Sequence, residues 1–278
     1  MVKTESGELD PKYRLSEYAR KLPWMHKWAK WSFSKLGSYR GCPKRFKYIY
    51  VDKVKVDQGD PYHFIKGKFI HSLIERSISN KFSLKEEKLF NPVAESDTIE
   101  ITDVLSWKNI FNKFYESEKY EGIVSSVEKS KMVEVERSLN YKQVFGGFVD
   151  FFYVVDDTLV IIDWKTGKSK DQSFNQLSTY AFVLLEELLQ NGYEINNVSL
   201  EYVFVENPSY ERSLNMSIEE FCSTYLVVLE NIKTTIDNID EDQDWVRIRN
   251  DCKFCRLAQL CSSEEDDDNK SLIDDILG

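Results

Sequence analysis

One stretch constrains this chain more than any other: Gly146 to Lys170, reading GGFVDFFYVVDDTLVIIDWKTGKSK. Two β-branched and aromatic runs, Phe148 to Val155 and Leu159 to Asp163, flank the polar break Asp156-Asp157-Thr158, which is how a tight β-hairpin is written in sequence. Asp150 lies inside the first run, while Asp163 and Lys165 close the second. Two carboxylates and an ammonium therefore sit in or beside strands of buried-type residues. An unpaired buried charge is costly, and a metal ion is the usual reason to gather carboxylates in such a place. The stretch predicts a divalent-metal site with the parts for phosphodiester hydrolysis: oxygen ligands that suit Mg²⁺ or Mn²⁺, and a lysine near the attacking water.

Composition bounds what surrounds the hairpin. The 278 residues suit one large domain or two small ones, and a hydrophobic fraction of 42% is enough for a sizeable core. No run approaches the ~18 consecutive apolar residues of a membrane span. The start, MVKTESGELD, has the features of neither a secretory signal nor an Arg-rich transit peptide. The expectation is a soluble cytoplasmic protein with no membrane partner, a phage product in a host cytoplasm included. The net charge of −10 looks wrong for binding phosphates. Seven acidic residues and one lysine between Glu264 and Asp275 account for −6 of it, so the body, near −4, can still carry a basic groove.

In chain order, residues 1–31 read as a polar N-terminal arm with scattered aromatics. Ser32 is placed to cap a helix that carries Leu36, Tyr39 and Phe46 around a Gly-Cys-Pro break. Arg40, Lys44, Arg45 and Lys47 make this stretch basic, which fits a solvated face as well as a phosphate contact. A helix is expected from Asp60-Pro61 to Asn80, with Phe64, Ile70, Leu73, Ile74 and Ile78 near helical period and His71 and Glu75 on one face. Phe82 to Ser125 reads as a charged insertion or cover, helical around Trp107 to Tyr120. Met132 to Leu139 alternates as a strand, making three successive antiparallel strands with the hairpin.

Phe174 to Gln190 reads as an amphipathic helix that ends at Asn191-Gly192, with Gln176 and Tyr180 sharing a face. Val198 to Val205 is a further strand, and Ser217-x-x-Glu220 is a capping box opening a helix to about Ile236. The order strand, strand, helix, strand predicts a mixed α/β core. No GxxxxGK[ST] phosphate loop occurs.

Taken alone, Asp-x-Lys at a strand end is most often a surface pair, and a lone histidine on an apolar helix face is most often a satisfied core residue. His71 changes that balance, because a carboxylate pair gathered around a metal has use for a neutral imidazole as a further ligand.

Together, Gly67-x-x-x-His71-x-x-x-Glu75, Gly147-x-x-Asp150, Asp163-Trp164-Lys165-Thr166-Gly167 and Gln176-x-x-x-Tyr180 resemble, in that order, the RecB-type branch of the PD-(D/E)XK nuclease superfamily. The resemblance runs from about Ser32 to Cys261, with Val149 standing where the superfamily name places Pro. It implies a restriction-endonuclease-like mixed β-sheet core flanked by helices. It also implies that His71, Asp150, Asp163 and the main-chain carbonyl of Trp164 hold Mg²⁺ or Mn²⁺. By the same resemblance Lys165 positions the attacking water and stabilises developing charge, Glu75 orients the site, and Gln176 and Tyr180 contact the DNA backbone or the lysine.

Five cysteines, an odd number, argue against a disulfide scaffold and for metal chemistry. Cys252-x-x-Cys255-x5-Cys261 offers three thiolates, and the two close pairs of a zinc ribbon are missing. With the distant Cys42 the set resembles the [4Fe-4S] staple of Cas4-like and AddB-like nucleases, with zinc as the other reading. Cys222 reads as a small buried apolar side chain.

The end of the chain, residues 263–278, has the composition of a disordered acidic tail with an apolar tip at Leu272, Ile273, Ile276 and Leu277. It resembles the clamp-binding tails of phage replication proteins, which makes a replication or repair protein such as a sliding clamp or a single-strand-binding protein one candidate partner; a fraying end or a DNA-mimicking tail over the basic groove fits the same composition equally well. The organisation expected is an arm over residues 1–31, a nuclease domain with an iron-sulfur staple over 32–262, and this tail. The activity expected is metal-dependent exonucleolytic cleavage of single-stranded DNA or DNA ends in recombination, repair or replication. The rivals are a Cas4-type end-trimming role in CRISPR adaptation, a structure-specific endonuclease, and a non-catalytic DNA-binding scaffold.

Overall fold

The computed structural model describes residues 31–55, 62–82, 90–95, 98–141, 145–167, 173–239, 244–248, 252, 255 and 257–262. The arm expected over residues 1–31, apart from Trp31, most of the loop after Gly167 and the acidic tail lie outside the described residues. In chain order the helices are α1 (Phe33–Gly41), α2 (Pro43–Phe46), α3 (Tyr62–Lys81), α4 (Pro92–Glu95), α5 (Ile101–Tyr115), α6 (Glu118–Val127), α7 (Asn175–Gln190) and α8 (Ile218–Asp237). A π-helical turn over Lys47–Val51 follows α2. The chain forms two compact units, one running through residues 62–237 and the other joining residues 31–55 to the described residues from 238 onward.

The first unit is built on a five-stranded sheet in the order β1 (Met132–Tyr141), β2 (Phe145–Val155), β3 (Thr158–Lys165), β4 (Asn197–Phe204) and β5 (Glu211–Ser217). Neighbours are antiparallel except β3 and β4, which run parallel. A parallel pair cannot be closed by a tight turn, and α7 supplies the crossover. The hairpin turns on Asp156-Asp157 alone, with Thr158 already the first residue of β3. Asp156 takes φ 52, the left-handed conformation that a tight hairpin turn demands and Asp tolerates. The Asp157 carboxylate accepts hydrogen bonds from Asn196 Nδ2 at 2.9 Å and Asn197 Nδ2 at 3.2 Å, pinning the turn to the entry of β4.

The strand β5 was not expected. Its segment, ERSLNMS, has no apolar run and stays exposed or half-buried along its length, so its pairing with β4 creates the strand. The stretch read as a cover is also more than that. Trp107 and Phe114 of α5 and Tyr120, Ile123 and Val127 of α6 join Ile65, Phe69, Ile70, Ile74 and Ile78 of α3 in one buried cluster against Phe151, Tyr153, Ile162 and Trp164. Trp107 is 1% exposed and Phe114 0%. Burying such a side chain stabilises the fold by roughly 1.5–3 kcal/mol, so α5 and α6 form one wall of the core.

The helix α7 is buried at Leu177, Ala181, Leu184 and Leu188 as its periodicity predicts, and also at Ser178, Thr179, Tyr180 and Phe182. It is an interior helix, not a surface one. The capping box of α8 is present in both directions: Glu220 N donates to Ser217 Oγ and Ser217 N to Glu220 Oε2. Cys222 is buried, as expected.

In the second unit, Ser32 Oγ accepts from Lys35 N at 3.2 Å and caps α1, and Pro43 starts α2 after the break at Cys42. Trp31 stacks on Phe46 at 5.4 Å, Phe46 on Trp245 at 6.1 Å, and Tyr39 meets Phe46 and Trp245 edge-on. Lys44 N donates to Val246 O, joining two segments far apart in the chain. A small core of Tyr48, Leu257 and Cys261 completes the unit. No helix among the described residues is long and apolar enough to cross a membrane.

Candidate metal centre

The site is organised by the last residues of β3. The Trp164 indole is buried, stacked on Phe151 at 5.8 Å and edge-on to Phe114 at 5.9 Å, which fixes the main chain on either side of it. Trp164 N donates to Asp150 Oδ2 at 2.9 Å, and Trp164 O lies 2.9 Å from His71 Nε2. His71 Nδ1 is 3.6 Å from the same Asp150 Oδ2. His71, Asp150 and the Trp164 carbonyl therefore meet at one point. Asp163 is 7% exposed, and the β2–β3 register, which pairs Phe151 with Ile162, carries Asp163 opposite Asp150. Its Oδ2 is in ion-pair contact with Lys165 Nζ outside hydrogen-bond geometry and accepts no hydrogen bond from the described residues. The Lys165 ammonium also sits 5.0 Å from the centre of the Tyr202 ring.

Helix α3 brings its share along one stripe. Residues 67, 71 and 75 are four apart and share a face. At Gly67 an added Cβ would lie 3.4 Å from Thr166 Oγ1, so the helix passes close to the end of the hairpin. Glu75 is 5% exposed, which excludes a helix-surface carboxylate. Its carboxylate, a His71 ring nitrogen and the Glu136 carboxylate all lie within 4.8 Å of one another.

Glu136 is the residue that sequence reasoning missed. The β1–β2 register pairs Val135 with Phe151 and Arg137 with Val149, which sets Glu136 across from Asp150. Its φ of 47 departs from the strand. That conformation costs a non-glycine residue about 1–3 kcal/mol and is kept where the surroundings demand it. The available signal was the alternation of Val133 and Val135 with Glu134 and Glu136, read together with a register to the hairpin.

The electrostatics follow from enclosure. Burial is the largest influence on His71 and pushes its imidazole below the usual value, against the opposing pull of Asp163 and the Trp164 carbonyl. The ring is thus neutral at neutral pH. Burial, then the nearby Asp163, holds the Asp150 carboxyl well above the usual carboxylate range. Carboxylates crowded into a buried place, an imidazole kept neutral, a main-chain carbonyl and a buried carboxylate oxygen without a hydrogen bond fit a hard divalent cation.

Of the other expected residues, Gln176 Nε2 donates to the Tyr180 hydroxyl at 3.1 Å. Tyr180 is 5% exposed, its hydroxyl pushed up to about 12 chiefly by burial. An added Cβ at Gly147 would lie 2.7 Å from Tyr180 Cε1, so this glycine is required by the ring packed over it. Arg45 belongs to the second unit, where it borders a small cavity also lined by Cys42, Cys252, Cys255, Cys261 and Arg247. Arg40 and Lys44 belong to that unit too. None of the five cysteines is in a disulfide, and no three thiols among the described residues approach within 4.8 Å of one another.

The sequence matches the PD-(D/E)XK nuclease superfamily over residues 30–262, and the chain belongs to that superfamily. No curated protein matches it. Among solved structures it is similar to SSO0001, with 16% identity, 90% of this chain and 95% of that one covered, and a TM-score of 0.33. It is also similar to a Eubacterium rectale protein provisionally described as an exonuclease, with 9% identity, 93% of both chains covered and a TM-score of 0.45.

Proposed function

We propose that this nuclease is a Mg²⁺- or Mn²⁺-dependent deoxyribonuclease acting on single-stranded DNA or DNA ends, in recombination, repair or replication. The observation that carries the reading is the convergence of His71, Asp150 and the Trp164 carbonyl at the end of β3, beside the Asp163–Lys165 ion pair. His71, Asp150, Asp163 and the Trp164 carbonyl would hold the cation, with Glu75 and Glu136 closing the same corner. A divalent cation in such a place supplies Lewis-acid polarisation of a phosphoryl oxygen and neutralises charge. Lys165 orients the attacking water and offsets charge that develops on the phosphoryl oxygens, the electrostatic work on which phosphoryl transfer depends. Gln176 and Tyr180 brace the strand that carries Asp150. Arg40, Lys44 and Arg45 supply cationic contacts to the DNA backbone.

The test uses end-labelled linear and circular DNA, single- and double-stranded, in Mn²⁺. Linear single strands are expected to shorten from an end, and Asp163→Ala and Lys165→Ala are expected to abolish this while melting as the wild type does. Variants that cut at the wild-type rate would sink the mechanism.

A [4Fe-4S] cluster on Cys42, Cys252, Cys255 and Cys261 is part of the proposal. It is supported by the four thiols bordering one cavity with Arg45 and Arg247, whose cationic character suits a thiolate-bound cluster. Anaerobically purified protein is expected to be brown; a colourless preparation carrying one equivalent of zinc would overturn this part.

A further inference from the structure

Large apolar side chains left singly on a surface need no explanation, but two exposed aromatics in this protein are tied to the metal ligands by chain geometry. Phe64 is 61% exposed and Phe148 is 62% exposed. Phe64 stands seven residues before His71 on α3, almost two full turns, so Phe64, Gly67, His71 and Glu75 share one stripe of the helix. Lys68 Nζ lies 4.4 Å from the centre of the Phe64 ring, a cation held beside a solvent-facing aromatic surface. Phe148 stands two residues before Asp150 in β2, a rise of about 7 Å along the strand. Each ring is therefore mounted on an element that carries a ligand, displaced from it along the element by a short distance.

An exposed phenyl ring beside a cation is how proteins hold nucleic acid without reading its sequence: the cation takes the phosphate, and the ring takes the flat face of an unpaired base. Paired bases are stacked within a duplex and do not offer that face. We infer that Phe64 and Phe148 are stacking platforms for unpaired DNA bases beside the metal centre, with Lys68 pairing to the phosphate beside Phe64, and that they select single strands. The inference rests on the nuclease reading of the same site and adds to it the two residues that sense base exposure.

The test measures binding in the absence of divalent ions, by fluorescence anisotropy, with two oligonucleotides of equal length: one of thymidines and one abasic throughout. Wild-type protein is expected to prefer the base-bearing strand. Phe64→Ala and Phe148→Ala are each expected to weaken binding to that strand by roughly fivefold to a hundredfold and to leave the abasic strand unaffected. Phe148→Leu, which keeps an apolar side chain and loses the ring, is expected to behave like the alanine variant. Equal affinity of the wild type for both strands, or an equal loss on both strands in the variants, would overturn the inference. Loss of cleavage in every substrate with this binding pattern intact would refute the nuclease reading alone. Cleavage intact with no preference for bases would refute the stacking role alone.

Discussion

Two places in this protein gather metal-binding side chains, and they are supported in opposite ways. Around the hairpin end, Asp150 and Asp163 hang from strands adjacent in sequence, and His71 comes from a helix packed in a large core with Trp107, Phe114, Phe151 and Trp164. Around the cysteine cavity, Cys42 and Cys252 stand 210 positions apart, and Tyr48, Leu257 and Cys261 form a small buried cluster among the described residues. In the first place apolar packing holds charges where they repel one another. In the second, thiols from distant segments border one cavity. A cation at the hairpin would relieve electrostatic stress in a fold that stands without it, whereas a cluster at the cysteines would tie two distant segments of its unit together.

The largest effect expected from this contrast is at the cysteines. Closing a loop of this length stabilises by about 5 kcal/mol on chain-entropy grounds. Cys255→Ser is therefore predicted to open residues 31–55 to limited proteolysis while the sheet unit survives as a protected fragment. Equal protection of both units in the variant would break the comparison.

Phe114→Ala probes the other side. It empties a fully buried site under Trp164 and is expected to cost about 3–5 kcal/mol by denaturant unfolding. Cleavage should also fall at temperatures where the variant remains folded, since the ring positions the strand whose carbonyl faces His71.

Gly147→Ala is a smaller perturbation. The added methyl meets the Tyr180 ring, which is itself buried, and overpacking of this kind costs about 1–3 kcal/mol. Gly147→Ala combined with Tyr180→Leu should recover part of that loss in a double-mutant cycle. Strict additivity would show that the two do not act on each other.

The smallest effect has the opposite sign. Because enclosure and Asp163 raise the folded-state value of Asp150, folding favours its protonated form. That contribution to stability is full below the unfolded-state pKa of about 4 and is lost as the pH climbs through the raised folded value. Asp150→Asn can still accept from Trp164 N and carries no charge. Metal-free Asp150→Asn is thus predicted to melt with the wild type in acid and above it by a margin that grows with pH. Wild-type affinity for Mn²⁺ should rise over the same range as the cation displaces a proton, which calorimetry in buffers of different ionisation enthalpy can read. A wild type that gains stability on the variant as pH rises would contradict the assignment.

How much was legible in the chain itself differs between these features. The hairpin, the placement of Asp150, Asp163 and Lys165 on it, the helix carrying His71 and Glu75, and the capping box at Ser217 could be read directly, because turn chemistry, strand alternation and helical period are written over a few neighbouring residues. Tertiary structure alone decided the rest. It made β5 a strand by pairing a polar segment with β4, turned a charged stretch into a wall of the core, and buried Glu75. It also set Glu136 beside that carboxylate, through a β1–β2 register that no local pattern specifies, and packed Tyr180 onto a glycine more than thirty residues before it. Side-chain types are local information; which of them share a corner depends on long-range pairing, where the gain in buried area outweighs the local preference of any one segment.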